Sequence, residues 1–265
     1  MPYNRLSTAK IAKAAGCHPN TVRLYEQWGL ISPVERSAKG YRLYTEEHLD
    51  QMLLARLAFD GAYPGPNLRR SVMLLIKTIA GHDYAAAVEL AERHLEIVWE
   101  EQAQAESAVA FLQRWAQGEL PERDAPALQI LQAAQYLSVT VDMLRSWERN
   151  GLVSVPRSPA NRYRQYGSTE IDRLRVIRLL RQTGYSPNAI LRMLIEFDRS
   201  RGQMSPEDLR RALDTPRPDE DVYMTADRWI STLQEHEQRS REVLRRVEEM
   251  AAKYAPQKEA PVSQT

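Results

Sequence analysis

The chain repeats itself. Displaced by 122 residues, the sequence aligns on itself without a gap: Arg23-x-Tyr25-Glu26-x-x-Gly29-Leu30-Ile31 meets Arg145-x-Trp147-Glu148-x-x-Gly151-Leu152-Val153, and Tyr41-Arg42-x-Tyr44 meets Tyr163-Arg164-x-Tyr166. Asp50, Arg56, Leu57, Tyr63 and Arg70 fall on Asp172, Arg178, Leu179, Tyr185 and Arg192. Chance does not hold register across roughly seventy residues, so the chain duplicates one folding unit, and any fold read for one copy must serve the other. Its 265 residues have room for two modest domains.

Each copy predicts the same elements. A short helix over about Thr8–Ala15 follows Ser7, a good N-cap. Gly16 suits a tight turn, Pro19 suits a first helical position, and a second helix then runs to Trp28 with Gly29 as its stop. Ile130–Leu137, a turn near Ser138 and a helix to Asn150 repeat this, with Gly151 as the stop. Two short helices across a tight turn, the second polar and basic, form a helix-turn-helix. Ile31–Tyr44 and Val153–Tyr166 then read as hairpins turning at Ser/Lys/Gly and at Ser158–Asn161, each with its arginine between two tyrosines. A hairpin beside a helix-turn-helix is a wing. Thr45-Glu46-Glu47 and Ser168-Thr169-Glu170 start a further helix, with cap and acidic first turn in place.

Two long helices follow. Asp83–Gln117 lacks proline and glycine, and Val88, Ala91, Leu95, Val98, Gln102, Ala105, Val109 and Leu112 recur at steps of three and four. Ala226, Trp229, Leu233, His236, Ser240, Val243, Val247, Met250 and Tyr254 do the same. These are heptad seams. A small domain cannot cover a rod of about 50 Å with its own surface, so the two seams are expected to pair, antiparallel and within one chain. Gln102 would then share a polar layer with His236 and Ser240.

Bulk properties narrow the class. A single cysteine, Cys17, rules out an intrachain disulfide and a thiolate metal cage. No signal-peptide core or membrane-length apolar run is present, so a cytoplasmic, nucleoid-associated protein with no membrane partner is expected. Residues 128–202 hold twelve arginines against six acids, while 83–124 hold three basic residues against ten acids. A basic segment beside an acidic one suits a polyanion-binding head on a solvated scaffold.

Double-stranded DNA is the expected partner. At the start of the first recognition helix stand His18, Asn20, Thr21 and Arg23, and at the matched places of the second stand Thr140, Asp142, Met143 and Arg145. Asn pairs with adenine and Arg with guanine in the major groove. Tyr25 and Trp147 suit support of the helix or an approach to the backbone. Tyr41-Arg42 and Tyr163-Arg164 on the wings suit phosphate or minor-groove contact.

These residues carry a resemblance. Val-Arg-Leu-Tyr-Glu-x-x-Gly-Leu-Ile followed by Gly-Tyr-Arg-x-Tyr resembles the DNA-binding domain of the MerR family of bacterial transcription regulators, and the second copy matches nearly as well. Gly184-Tyr185-Ser186-Pro187-x-x-Ile190 resembles that family's next helix pair. The resemblance implies that Arg42, Arg23 and Tyr25, and likewise Arg164, Arg145 and Trp147, face DNA. It also implies an antiparallel pair of long helices, and binding and distortion of a promoter, with RNA polymerase as a further partner. The chain departs from the family in carrying two heads, in having Leu24-Tyr25 and Ser146-Trp147 where the family has paired aromatics, and in lacking a metal-binding cysteine pair or cobalamin motif. No separate ligand domain is expected after the second long helix.

The expected fold is therefore mainly α. A first winged helix-turn-helix domain spans 1–82, a long coiled-coil helix 83–117 and a linker 118–127. A second such domain spans 128–218, a second long helix 219–254 and a flexible tail 255–265. One chain forming a monomeric pseudo-dimer is expected, with a homodimer of four heads as the competing arrangement. The rival function is an architectural protein that bends DNA for recombination, excision or nucleoid organisation. No metal-ligand helix motif, phosphate loop or serine elbow points to an enzyme, and no cofactor or metal is expected. Trp99, Trp115 and Trp229 are candidates for lining a small-molecule pocket together with Phe111 and Tyr223, although aromatics at helical spacing more often fill a core.

Overall fold

The computed structural model describes residues 5–61, 66–120, 126–215 and 228–255. Tyr63, Tyr223 and Ala226, half of the expected linker and nearly all of the tail lie outside the described residues. The chain is mainly helical and divides into two compact units. One comprises the residues up to Trp99 and those from Glu235 onward, the other Glu100–Gln234.

In the first unit, α1 (Thr8–Ala14) begins at Ser7, whose hydroxyl accepts the Lys10 N–H at 3.4 Å. After the turn comes α2 (Pro19–Gln27). The wing follows: β1 (Glu35–Arg36) pairs antiparallel with β2 (Arg42–Leu43), Arg36 opposite Arg42. Next come α3 (Glu46–Ala58), capped by Thr45, then α4 (Pro66–Ala80) and the first part of α5 (Tyr84–Ala116). Ile11, Ala12, Ala15, Val22, Ile31, Tyr44 and Met52 form a small core beneath the helix-turn-helix and wing.

A second core has an unexpected contributor. Leu54, Val72, Leu75, Ile76, Ile79, Tyr84, Ala87 and Ala91 pack with Val243, Val247 and Met250, which belong to α11 (Trp229–Tyr254). The end of α11 is also tied to α3: Lys253 Nζ lies 2.7 Å from Glu46 Oε1 and 3.0 Å from Asp50 Oδ2, and the Tyr254 hydroxyl donates to Asp50 at 2.6 Å. The first head is thus completed by a helix from the far end of the chain.

The second unit repeats the plan with α6 (Ile130–Leu137), α7 (Val141–Arg149), α8 (Ser168–Thr183) and α9 (Pro187–Arg199). Its wing is reduced to a single bridge between Arg157 and Arg164. The cap of α8 falls one residue before the expected Ser168: the Gly167 N–H donates to Glu170 Oε2 at 2.9 Å. An additional helix, α10 (Pro206–Asp214), was not anticipated from the sequence. It is bound by Arg192, a 3 % exposed guanidinium that donates to the Ala212 and Leu213 carbonyls at 2.7 and 2.9 Å. Those carbonyls stand at the helix C-terminus, where a cation is favourable. Trp229 closes this unit against Gly184, where an added Cβ would lie 2.3 Å from the indole ring.

Both seams are buried as their spacing demands. Ala91, Leu95, Val98, Ala105, Val109 and Leu112 are buried, as are Trp229, Leu233, His236, Ser240, Val243, Val247 and Met250; Val88 and Gln102 are half-buried. α5 and α11 run antiparallel. In the first unit Tyr84 meets Tyr254 and His94 meets His236, with ring centroids 6.1 and 5.4 Å apart. In the second, Gln102 donates to the Leu233 carbonyl at 3.3 Å. His94, which the heptad reading left off the seam, is thus a buried seam residue.

Burial holds both imidazoles neutral. His94, whose Nδ1 is 2.6 Å from the Ser71 hydroxyl, is pushed down to about 4 by desolvation. His236 is pushed down to about 3, first by desolvation, then by His94 and by Arg239, whose NH1 lies 3.3 Å from its Nδ1. Because these folded values lie below the ordinary 6.5, the unfolded chain binds protons first as pH falls. The stabilisation from keeping them neutral is complete above about pH 6.5 and is lost from there down to about 4 for His94 and about 3 for His236, at up to about 1.4 kcal/mol per pH unit for each imidazole. Urea midpoints measured from pH 7.5 to 4 are expected to fall along this window, and a His94→Gln/His236→Gln variant is expected to show a flatter profile.

Candidate nucleic-acid interface

The start of each recognition helix is fixed by its own side chains. In α2 His18 is the N-cap, its Nδ1 accepting the Asn20 N–H at 3.2 Å. In α7 Thr140 takes that place, its hydroxyl accepting the Met143 N–H at 3.1 Å. Val22 and Leu144 face the cores, so the opposite face is presented to solvent. On it stand exposed His18, Asn20 and Arg23 with half-buried Thr21, and exposed Thr140, Asp142, Met143 and Arg145. The same intrahelical bond recurs in both: Arg23 donates to Asn20 Oδ1 at 3.0 Å, and Arg145 to Asp142 Oδ1 at 3.4 Å. Asp142 has a side chain 90 % exposed.

The matched aromatics lie deeper. Trp147 is 6 % exposed and packs α7 onto its domain. Tyr25 is half-buried between the two cores of the first unit and stacks on Trp28, with ring centroids 6.4 Å apart; burial raises its hydroxyl pKa. In both heads this position supports the helix.

Each wing is locked to its recognition helix by one ion pair. Arg42 Nε donates to Glu26 Oε2 at 2.6 Å, and Arg164 Nε donates to Glu148 Oε2 at the same 2.6 Å. All four side chains are between 18 and 28 % exposed. Glu26 and Glu148 are functional candidates that the sequence reading passed over, although both stand in the repeat beside Tyr25 and Trp147. Their signal was the recurrence of an acid and an arginine at fixed offsets in both copies. The neighbouring Tyr41 and Tyr163 are 71 and 64 % exposed, whereas Tyr44 and Tyr166 are buried. Each head thus offers a helix face and a wing joined by one carboxylate.

The family described as MerR HTH family regulatory protein matches residues 6–64 and 128–196, which cover both of these surfaces. The chain carries two MerR-family helix-turn-helix domains in tandem. Among curated relatives, the HTH-type transcriptional regulator CueR of Escherichia coli O157:H7 is 40 % identical over 53 residues, 20 % of this chain and 39 % of the relative. CueR of Vibrio cholerae serotype O1 is 45 % identical over 49 residues, 18 % of this chain and 35 % of the relative. The HTH-type transcriptional regulator ZntR homolog of Haemophilus influenzae is 50 % identical over 42 residues, 16 % and 31 % of the two chains. The match therefore spans well under half the length of these relatives. No solved structure matches significantly.

The arginine wealth of the second MerR-type domain is partly internal, which corrects the segmental charge count. Arg178 donates to the Leu137 carbonyl at 2.6 Å, pinning the end of α6, and Arg56 does the same for Ala15 in the first domain. Arg173 binds the Leu152 carbonyl at 2.8 Å and pairs with Asp198, and Arg181 donates to the Tyr185 carbonyl at 2.5 Å. With Arg192 of α9 bound to the C-terminal carbonyls of α10, these guanidiniums hold backbone in place.

The three tryptophans are occupied within their own units. Trp99 donates to Glu237 at 2.9 Å under the Arg241 guanidinium, Trp115 lies on Phe197 at 4.4 Å between centroids, and Trp229 lies on Gly184. A cavity of about 380 Å³ in the first unit is lined instead by Asp50, Leu53, Arg245, Arg246, Glu249, Met250 and Lys253. Among the described residues, no three His, Cys, Asp or Glu side chains come together to hold a metal, and no helix is long and apolar enough to cross a membrane.

Proposed function

We propose that this protein is a sequence-specific DNA-binding transcription regulator that reads an asymmetric operator with two non-identical MerR-type heads and distorts promoter DNA. The observation that carries this reading is the wing arginine set beside the exposed face of a recognition helix by a glutamate, in the same geometry in both heads. One carboxylate satisfies Nε, and the remaining donors of the guanidinium suit a phosphate. Asymmetry follows from the matched positions. Asn20 suits adenine, while Asp142 only accepts and suits the cytosine amino group; Thr21 is matched by Met143, whose apolar chain suits a thymine methyl. RNA polymerase at the promoter is the further partner this reading implies.

The antiparallel pairing of α5 and α11 supports a monomeric pseudo-dimer. Six of the eight seam residues of α5 are buried and the other two half-buried by the chain itself, so among the described residues this seam offers little apolar surface to a second copy. Joining the halves covalently also replaces a bimolecular association with one at high effective concentration.

Selection of bound duplexes from random DNA is expected to return a site without two-fold symmetry; a perfect palindrome contradicts the reading. Arg42→Ala and Arg164→Ala are each expected to weaken binding by about 1–3 kcal/mol in anisotropy titrations, and affinity is expected to fall steeply with salt. Light scattering at micromolar concentration is expected to give the 30.5 kDa of one chain. Twice that mass excludes a self-sufficient monomer.

A further inference from the structure

The two wings differ at their tips in a way the ungapped repeat conceals. In the first, the Gly40 N–H donates to the Ser37 carbonyl and the Ser37 N–H to the Tyr41 carbonyl, both at 2.8 Å. In the second, the Arg162 N–H donates to the Ser158 carbonyl and the Ser158 N–H to the Tyr163 carbonyl, also at 2.8 Å. The second turn is one residue longer, and that residue is drawn from the leading strand. Accordingly Arg42 pairs with Arg36, whereas Arg164 pairs with Arg157. One bond marks the equivalence: Arg36 NH1 reaches the Gly40 carbonyl at 3.5 Å, and Arg157 NH1 the Arg162 carbonyl at 3.4 Å.

Arg162 therefore stands where the first wing has glycine. Gly40 has φ 80° and Arg162 φ 64°. Glycine adopts this left-handed conformation freely, while a residue with a Cβ does so at a cost. The side chain of Arg162 is exposed, and among the described residues its guanidinium makes no ion pair or hydrogen bond. Asn161, a residue type that tolerates the left-handed region, stands one position earlier and instead accepts the Tyr163 N–H at 3.0 Å. Strain that no internal contact of the side chain repays is the pattern of a residue kept for what it binds.

We propose that Arg162 is a DNA-contacting residue at the tip of the second wing, gripping the anionic edge of the duplex from the position where the first wing has Gly40 and carries its exposed cation one residue earlier, at Lys39. The proposal rests on the DNA-binding reading above. Its ligand chemistry is a backbone phosphate or the narrow, electronegative minor groove of an A·T-rich segment. Either makes the second half-site bind through three wing arginines, Arg157, Arg162 and Arg164.

The test uses the full chain with Arg162→Gly and Arg162→Asn, titrated against the selected duplex at several salt concentrations, with melting temperatures measured in parallel. Both variants are expected to melt at or above the wild-type temperature, because the turn is relieved, and yet to bind about tenfold more weakly. A loss uniform across sequences, with a salt slope shallower by about 0.9, marks a phosphate contact; a loss confined to duplexes with A·T-rich flanks marks the minor groove. Unchanged affinity and slope in both variants overturns the proposal, as does a lowered melting temperature with affinity retained. If the wild type binds no duplex, the functional reading falls as well.

Discussion

The first head depends on a helix encoded at the other end of the chain. Val243, Val247 and Met250 of α11 are buried in one cluster with residues of α3, α4 and α5. Full burial of an aliphatic side chain of this size contributes about 1.5–3 kcal/mol, so these three outweigh the half-exposed ion pairs of Lys253 around them. The apolar seam is the fastening, and the charged groups at its edge fix where along α3 the helix ends. Each long helix serves two masters, since α5 and α11 both contribute residues to both compact units.

On this base the two heads keep one scaffold and vary what it presents. The scaffold residues recur at matched positions with matched bonds: Arg56 and Arg178 on the end of the first short helix, Glu26 and Glu148 on the wing arginine. The presented residues recur only in part: Arg23 and Arg145, and Tyr41 and Tyr163, match, while others differ. Lys10 and Lys13 on α1 are exposed, as are their neutral counterparts Gln132 and Gln135 on α6, so the second head has lost two cations there. Its Arg162 and Arg149 replace Gly40 and Gln27 while Asn161 replaces Lys39, so the cation of the wing tip moves by one residue and a new one stands at the end of the recognition helix. Duplication followed by such exchange keeps the fold while separating the surfaces.

Much of the fold was legible because it rests on local chemistry. The helix starts at Ser7, Pro19 and Thr140 and the stops before Gly29 and Gly151 follow from capping, which involves residues within one turn of each other. The heptad seams follow from side-chain period. Less legible were features whose partners lie far apart in sequence. His94 stands outside the heptad series beside Leu95, and only its contact with His236 places it on the seam. The arginines of the second domain count as surface charge in the sequence, but Arg192 lies buried against the C-terminal carbonyls of α10 and Arg178 on the Leu137 carbonyl. α10 carries a local signal, since Ser205-Pro206-Glu207-Asp208 is a capped helix start, but at 9 residues it is shorter than the window over which a hydrophobic period is read.

The sequence alone determined that this protein has two winged helix-turn-helix heads and two seam helices, because caps, turns and hydrophobic period act over a few residues and the repeat states each of them twice. Only the tertiary structure decided that α11 completes the first head, that a glutamate sets each wing arginine, and that the wings turn in different registers. Those outcomes depend on which surfaces meet and on one residue's shift in a hairpin, and a strand's register is fixed by what its side chains pack against.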